Sequence, residues 1–261
     1  MHCLIAVGGN QGLVVDRARE AIDWLSQNGV LRNARFSHWY RTSAIGIQTE
    51  DPFLNAAVQA ETHLPPLELL EQCQQAERRA GRRPTRSWSP RPLDLDLVTC
   101  ESVCMNTPRL ILPHPGCWFR RFVLDPVCDL DPEQCHPERG ISFQDFQRRL
   151  MNRPIRIGVC GGTRAQRSSL CESLAIHFPG DCVQSEIISR GFDRSDASGM
   201  QQLVDTYGML AWIGPGENPD WPDLPRAVRY HLSGIRFSQQ DELRYCVEGM
   251  LGDGIKRLVD S

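Results

Sequence analysis

The order in which two hydrophobic periods alternate along the N-terminal part of this chain constrains its fold more than any other feature. Residues 4–7 form a short apolar run that ends in the turn Gly8-Gly9-Asn10, and beyond it Val14, Ala18, Ala21, Ile22 and Leu25 recur at helical spacing until Gly29. Residues 34–40 and 54–61 read as strands, the second closing at Leu64-Pro65-Pro66, whose prolines suit the opening turn of a helix. Leu67, Leu70, Cys73 and Ala76 then line one face of that helix as far as Gly81, and after a loop dense in Arg and Pro the stretch 93–98 alternates as a strand. Strand, helix, strand, strand, helix, strand is the order of a ferredoxin-like α+β sandwich, which is the fold class expected here.

At 261 residues the chain exceeds what one such sandwich needs, and it is expected to hold two domains. Residues 143–150 read as a terminal helix, and Met151-Asn152-Arg153-Pro154 breaks the pattern, so the division is placed as 1–153 and 154–261. The second part opens with a strand at 155–160, a Gly161-Gly162-Thr163 turn and a helix through Leu170, Leu174 and Ala175, with a further strand at 209–213, and reads as a small α/β domain. Residues 162–169 have the length of a G-x-x-x-x-G-K-[ST] phosphate loop, but Arg167 stands at the second glycine and Ser168 at the lysine. That segment resembles a degenerate P-loop of nucleoside-kinase type as readily as an ordinary strand-turn-helix junction, and no catalytic residue is assigned to it.

A net charge of -3 offers no overall basic field for a nucleic acid or an anionic membrane. Small-molecule partners are therefore expected, with any anion held by a local arginine cluster. No apolar run approaches the roughly 20 residues of a membrane span and the N-terminus has no export signal, so a cytoplasmic location is expected. The eleven cysteines lack zinc-like spacing and read as reduced, mostly buried thiols.

The densest chemical signal runs from Arg82 to Leu97. Strand alternation puts Asp94 and Asp96 on one face, roughly 6.5 to 7 Å apart along the strand, with Leu93, Leu95 and Leu97 on the other. Such a pair can hold two Mg²⁺ ions about 4 Å apart, or can be merely the solvated face of an amphipathic strand. Arg82, Arg83, Arg86 and Arg91 lie just upstream. Guanidinium forks beside a carboxylate face are what a metal-bound polyphosphate requires, although Arg83 and Arg86 fit an exposed charge run better.

The stretch resembles the R-W-G-P-R-T-L-D-L-D signature of the 6-hydroxymethyl-7,8-dihydropterin pyrophosphokinase family. Ala6-Val7-Gly8-Gly9-Asn10, Tyr40-Arg41-Thr42, residues 53–58 and 77–82, and Leu112-Pro113-His114-Pro115 followed by Arg120 and Phe122 carry the same resemblance, over about residues 1–135. It implies transfer of diphosphate from ATP to the hydroxymethyl group of the pterin, with release of AMP, in folate biosynthesis. By the same resemblance Asp94 and Asp96 are ligands of two Mg²⁺ ions, and Arg82 and Arg91 grip the phosphates. Glu77, Trp88, His114 and Arg120 fall at ATP-site positions, although His114 between two prolines can equally be a turn residue. Phe53 and Phe122 resemble the aromatic pair that sandwiches the pterin ring, and the resemblance implies that Thr42, Asn55 and the backbone near Ile45 and Gly46 read its polar edge. Ser89 stands where the family has glycine, Ser87 where it has arginine, and the segment before Trp88 is one residue short. An active enzyme is expected; the alternatives are a pterin- or nucleotide-binding protein without turnover, and a bifunctional chain with a kinase-like C-terminal domain. Residues 1–153 are expected to suffice for activity.

Overall fold

The computed structural model describes residues 1–43, 51–82, 91–180, 182–188, 197–213, 229–232, 238–252 and 255–258. By contact the chain divides into two units: Met1–Gln147 together with Gly252–Ser261, and Arg148–Leu251.

Unit 1 begins β1 (His2–Gly9), α1 (Val14–Gln27), β2 (Arg32–Phe36), β3 (Tyr40–Thr42), β4 (Phe53–Glu61), α2 (Pro66–Arg79) and β5 (Asp94–Cys100). Its main sheet runs β12-β3-β4-β1-β5, with β2 also pairing β4, where β12 (Lys256–Arg257) comes from beyond unit 2 in the chain. Every pairing in it is antiparallel. This is the expected ferredoxin-like order, with one strand divided. The single strand read at 34–40 is two, because at Ser37 the side chain takes over from the backbone: Ser37 N donates to Ala57 O at 2.9 Å while Ser37 Oγ accepts from Ala57 N at 2.8 Å. The chain therefore steps off β4 at 37–39 and rejoins it as β3.

The apolar stripe of α1, Val14, Ala18, Ala21, Ile22 and Leu25, is buried as its spacing requires. Full burial of a side chain such as Leu25 contributes about 2 to 3 kcal/mol. On α2 the buried stripe is Leu69, Cys73, Ala76 and Glu77, whereas Leu67 and Leu70 are only partly covered. Three leucines within four residues satisfy two helical phases equally, and packing selects the one centred on Leu69. Both helices cover the sheet face formed by Cys3, Ile5, Val7, Leu95 and Leu97. Burial pushes the Cys3 thiol up to about 12, so it packs there as a small protonated apolar group.

Leu4 points by alternation to the opposite face and is buried too, beside a helix the periodicity reading lacked. Two short strands, β6 (Met105–Asn106) and β7 (Ile111–Leu112), lead to this helix, α3 (Arg121–Leu130), which packs on β4 and β1. Pro126 inside it is a helix breaker in the sequence. Asp125 ties the helix down, accepting from Arg121 Nη2 at 2.7 Å and from Gln147 Nε2 at 2.9 Å.

The next helix, α4 (Phe143–Met151), is where the observed division differs from the boundary read at 153. Its first half packs Phe143 and Phe146 against His136. Its second half belongs to unit 2, where Arg149 Nη1 donates to Val204 O at 3.1 Å. The polar residues and Pro154 mark the end of a helix rather than the edge of a compact unit.

His136 is 2% exposed, and burial with the Arg139 guanidinium lowers its pKa to about 3. Below the ordinary value of roughly 6.5 the unfolded chain takes up a proton that the folded ring refuses, so stability falls with pH until about 3. A cost of about 2 kcal/mol is expected from this group between pH 7 and 5. Urea unfolding of wild type and His136→Gln at both pH values checks it: the acid loss should shrink in the variant, and an equal loss would show that His136 is not its source.

Unit 2 is a four-stranded parallel sheet in the order β11-β10-β8-β9, built from β8 (Ile155–Gly161), β9 (Val183–Ile187), β10 (Met209–Ile213) and β11 (Arg229–Leu232). Its helices are α5 (Arg164–His177), α6 (Ala197–Thr206) and α7 (Gln239–Leu251). All five residues of β10 are buried, the continuous apolar run of a strand covered on both faces. Just before the segment read as P-loop-like, Gly161 has a φ of +73° and a β-carbon there would lie 2.3 Å from Ile213 O, so backbone conformation and strand packing both account for that glycine. Thr163 and Gln166 form a capping box at the start of α5, and Arg167 Nη1 donates to the carbonyls of Gly161 and Gly162 at 2.6 and 2.8 Å. The turn thus presents its carbonyl groups to its own arginine.

Candidate active site

Asp94 and Asp96 open β5, opposite Gly8 and Ala6 of β1. Leu93, Leu95 and Leu97 are buried, Asp94 is half-buried and Asp96 is exposed, so the alternation read in the sequence is realised. Arg82, just beyond α2, donates through Nη1 to Asp94 Oδ1 at 2.7 Å and to Glu77 Oε1. Arg91 donates to the other oxygen of the same carboxylate, Asp94 Oδ2, at 2.5 Å. Two guanidinium groups thus converge on Asp94. Asp96 has no hydrogen-bond partner among the described residues; although its side chain reaches solvent, the protein on its remaining sides and the Asp94 carboxylate raise its pKa above the ordinary value, against the pull of Arg120, Arg91 and Arg82. A carboxylate pair with one member free of hydrogen bonds is a donor set that favours a hard cation.

Glu77, expected at the ATP site, lies against Arg82 and the start of β5. It is 4% exposed and its Oε1 accepts from Leu95 N at 2.8 Å as well as from Arg82. Burial pushes its carboxyl up while the Leu95 amide and the Arg82 guanidinium pull it down. Its work is to hold the start of β5 and the arginine in register.

Asn10, which the sequence offers only as part of the Ala6 to Asn10 motif, lies against Arg91. Its Oδ1 accepts from Arg91 N at 2.9 Å and its own N donates to Arg91 O at 3.1 Å, which fastens the arginine to the end of β1. Its Nδ2 is buried without a partner among the described residues. The contact requires Gly9, since a β-carbon there would stand 2.8 Å from Pro92 O. The signal was an asparagine after two glycines at a strand end, where a side-chain amide can replace backbone partners.

His114 is half-buried, and its Nδ1 accepts from Gly116 N at 3.1 Å, which leaves Nε2 as the donor of the neutral ring. Burial and the Arg120 guanidinium lower its pKa to about 3. It is therefore both a turn residue and a fixed N–H donor beside Arg120. The guanidinium carbon of Arg120 lies 5.9 Å from the ring centroid of Phe122.

Phe53 starts β4 and Phe122 sits in the first turn of α3; both are half-buried rather than core. Asn55 and Thr42 are 8% and 5% exposed, and Asn55 Nδ2 donates to Thr42 Oγ1 at 2.8 Å, which leaves Asn55 Oδ1 to face Gly8. The pairings Thr42 with Phe53 and Tyr40 with Asn55 hold this polar edge on β3 and β4. Ile45, Gly46 and Trp88, with Arg83, Arg86, Ser87 and Ser89, lie outside the described residues. A concavity of about 340 Å³ lined by Arg156, Leu174, Val183, Gln184 and Glu186 is built wholly from unit 2 and contains none of the expected site residues.

The family described as 7,8-dihydro-6-hydroxymethylpterin-pyrophosphokinase (HPPK) matches residues 4–132. The 2-amino-4-hydroxy-6-hydroxymethyldihydropteridine pyrophosphokinase of Bacillus subtilis is 37% identical over 126 residues, 48% of this chain and 75% of that protein. The protein of the same name from Synechocystis is 35% identical over 137 residues, 52% of this chain and 70% of that one. A solved Plasmodium falciparum HPPK-DHPS structure superposes with a TM-score of 0.42 at 10% identity, covering 82% of this chain and 64% of that one, a likeness on which nothing below depends.

Proposed function

This chain belongs to the 7,8-dihydro-6-hydroxymethylpterin-pyrophosphokinase family, and from that membership we propose that unit 1 carries the reaction through Asp94, Asp96, Arg82 and Arg91. The chain is an ATP-dependent pyrophosphokinase of folate biosynthesis: it transfers diphosphate from ATP to the hydroxymethyl group of 6-hydroxymethyl-7,8-dihydropterin and releases AMP. The convergence of two arginines on one member of a paired carboxylate face carries the residue assignment.

Asp94 and Asp96 would hold two Mg²⁺ ions, which when bound neutralise phosphate charge and polarise the oxygens of the transferred group. No cluster of three or more candidate ligands occurs among the described residues, so phosphate oxygens and water would complete the coordination, as is usual for Mg²⁺. Arg82 and Arg91, held by Asp94 here, are placed to turn a fork toward an anion arriving at that carboxylate. Glu77 and Asn10 keep the two arginines aligned from behind. His114 presents an N–H donor that stays neutral through the physiological range, and Arg120 adds a cation beside it. Phe53 and Phe122 supply two aromatic faces for the pterin, with Thr42 and Asn55 at its edge.

No helix among the described residues is long and apolar enough to cross a membrane. We place the enzyme in the cytoplasm, with small molecules as its partners. Appearance of AMP on mixing the protein with ATP, Mg²⁺ and the pterin alcohol tests the activity, and its absence at saturating substrate would overturn the reading. For the sandwich, Phe122→Ala should weaken pterin binding by about 1 to 3 kcal/mol, the scale of one stacked aromatic face, with much less effect on ATP. Calorimetric titration of each ligand decides; equal losses would mean a general packing defect.

A further inference from the structure

Gly252 and residues 255–258, which follow unit 2 in the chain, belong to unit 1 and meet the part of it that carries the pterin residues. Gly252 lies against the first turn of α3, where a β-carbon added to it would come within 3.0 Å of Arg121 Cβ, next to Phe122 in sequence. Further on, β12 pairs antiparallel with β3, Lys256 opposite Arg41 and Arg257 opposite Tyr40, and Leu258 N donates to Trp39 O at 2.7 Å. The segment thus touches the helix that bears Phe122 and closes the edge of the strand that bears Thr42.

A polar cluster joins the same two elements. Asp129, near the end of α3, accepts from Tyr40 Oη at 3.0 Å and from His38 N at 3.2 Å, and its Oδ2 lies 3.0 Å from His38 Nδ1. Arg257 Nη2 stands 2.6 Å from both ring nitrogens of His38. The Asp129 carboxylate can only accept, so the ring proton sits on Nδ1 facing it, and Nε2 is the nitrogen left to accept from the guanidinium. Arg257, His38, Asp129 and Tyr40 form one chain of hydrogen bonds from β12 through β3 to α3. Tyr40 pairs with Asn55 across the sheet, so the cluster abuts the polar edge of the pterin site.

We propose that Gly252 and residues 255–258 are part of the pterin-binding architecture, with Arg257 a positioning residue that, through His38 and Asp129, sets β3 against α3 and so spaces Thr42 and Asn55 from Phe122. This rests on the pterin reading of those three residues, and it replaces the expectation that residues 1–153 suffice. The arginine cluster at Asp94 lies on β5 and the α2 end, elements the segment does not pair with, so the effect should fall on one substrate.

The test compares the full chain with Arg257→Ala, Arg257→Lys, a chain ending at Leu251 and Phe122→Ala, measuring KM for pterin and ATP and the thermal midpoint. Arg257→Ala and the shortened chain should raise the pterin KM about tenfold while the ATP KM stays within about twofold, and Arg257→Lys should recover most of the loss. An unchanged pterin KM in Arg257→Ala overturns the proposal, as does an equal rise in both KM values, which would make the segment only a brace for the fold. If Phe122→Ala leaves pterin affinity unaltered, the site reading itself fails; if Phe122→Ala weakens it and Arg257→Ala does not, the positioning role alone is lost.

Discussion

Asp96→Ala is expected to lower the rate of AMP formation about a thousandfold, roughly 4 kcal/mol of transition-state stabilisation, with the fold intact. The expectation follows from what the carboxylate does and does not touch. It is exposed on the open face of β5, it has no hydrogen-bond partner among the described residues, and Leu95 and Leu97 on either side supply the packing of the strand. Nothing structural is lost when it is removed; what is lost is one of two oxygen donors for the metal. Steady-state AMP release at saturating ATP and Mg²⁺ measures the first part, and a thermal midpoint within about 2 °C of wild type the second. Activity within tenfold of wild type would show that Asp94 alone sustains the metal chemistry and that Asp96 is a solvated surface residue.

Arg82→Ala should differ, because it strikes both function and stability. The guanidinium is shared between Asp94 and the buried Glu77, whose side chain is 5% exposed. Its removal leaves Glu77 with the Leu95 amide as its remaining partner, at an expected cost of about 2 kcal/mol, less than for a fully enclosed pair because Arg82 itself is partly open to solvent. Diphosphoryl transfer should fall about a hundredfold or more, the scale of removing one charged donor from a phosphate site. The two effects separate in Arg82→Ala/Glu77→Gln: a neutral amide needs no cation, so the double variant should regain stability without regaining activity. Recovery of activity alongside stability would reduce Arg82 to a structural counter-ion.

Features written in local periodicity were legible in advance. The stripe of α1, the alternation that sets Asp94 and Asp96 apart from Leu93, Leu95 and Leu97, and the β-α-β-β-α-β order all depend on residues close in sequence. Features decided by distant partners were not. Glu77 is an ordinary helical glutamate until β5 brings the Leu95 amide to it, and Asn10 is a turn residue until Arg91 arrives. Helix α3 is hidden by Pro126, which it tolerates because Asp125 and its packing on β4 hold the surrounding turns. The two-residue strand β12 has no pattern at all, since its pairing is supplied by the edge of β3 rather than by its own side chains. Phe53 and Phe122 are indistinguishable from core aromatics in sequence; their half-exposure in the structure is what separates them.

The origin of β12 bears on how the protein is made. A ribosome delivers the strands of the main sheet from β1 to β5 early, then the whole of unit 2, and only afterwards the residues that pair with β3. Until then β3 is an open edge, with unpaired N–H and C=O groups able to recruit a strand from a neighbouring nascent chain. It is kept short, and it carries Arg41 at its centre, a charge that discourages such pairing. Closure of the edge therefore waits until unit 2 has been synthesised, and the sheet that holds Thr42 and Asn55 gains this strand only after that unit.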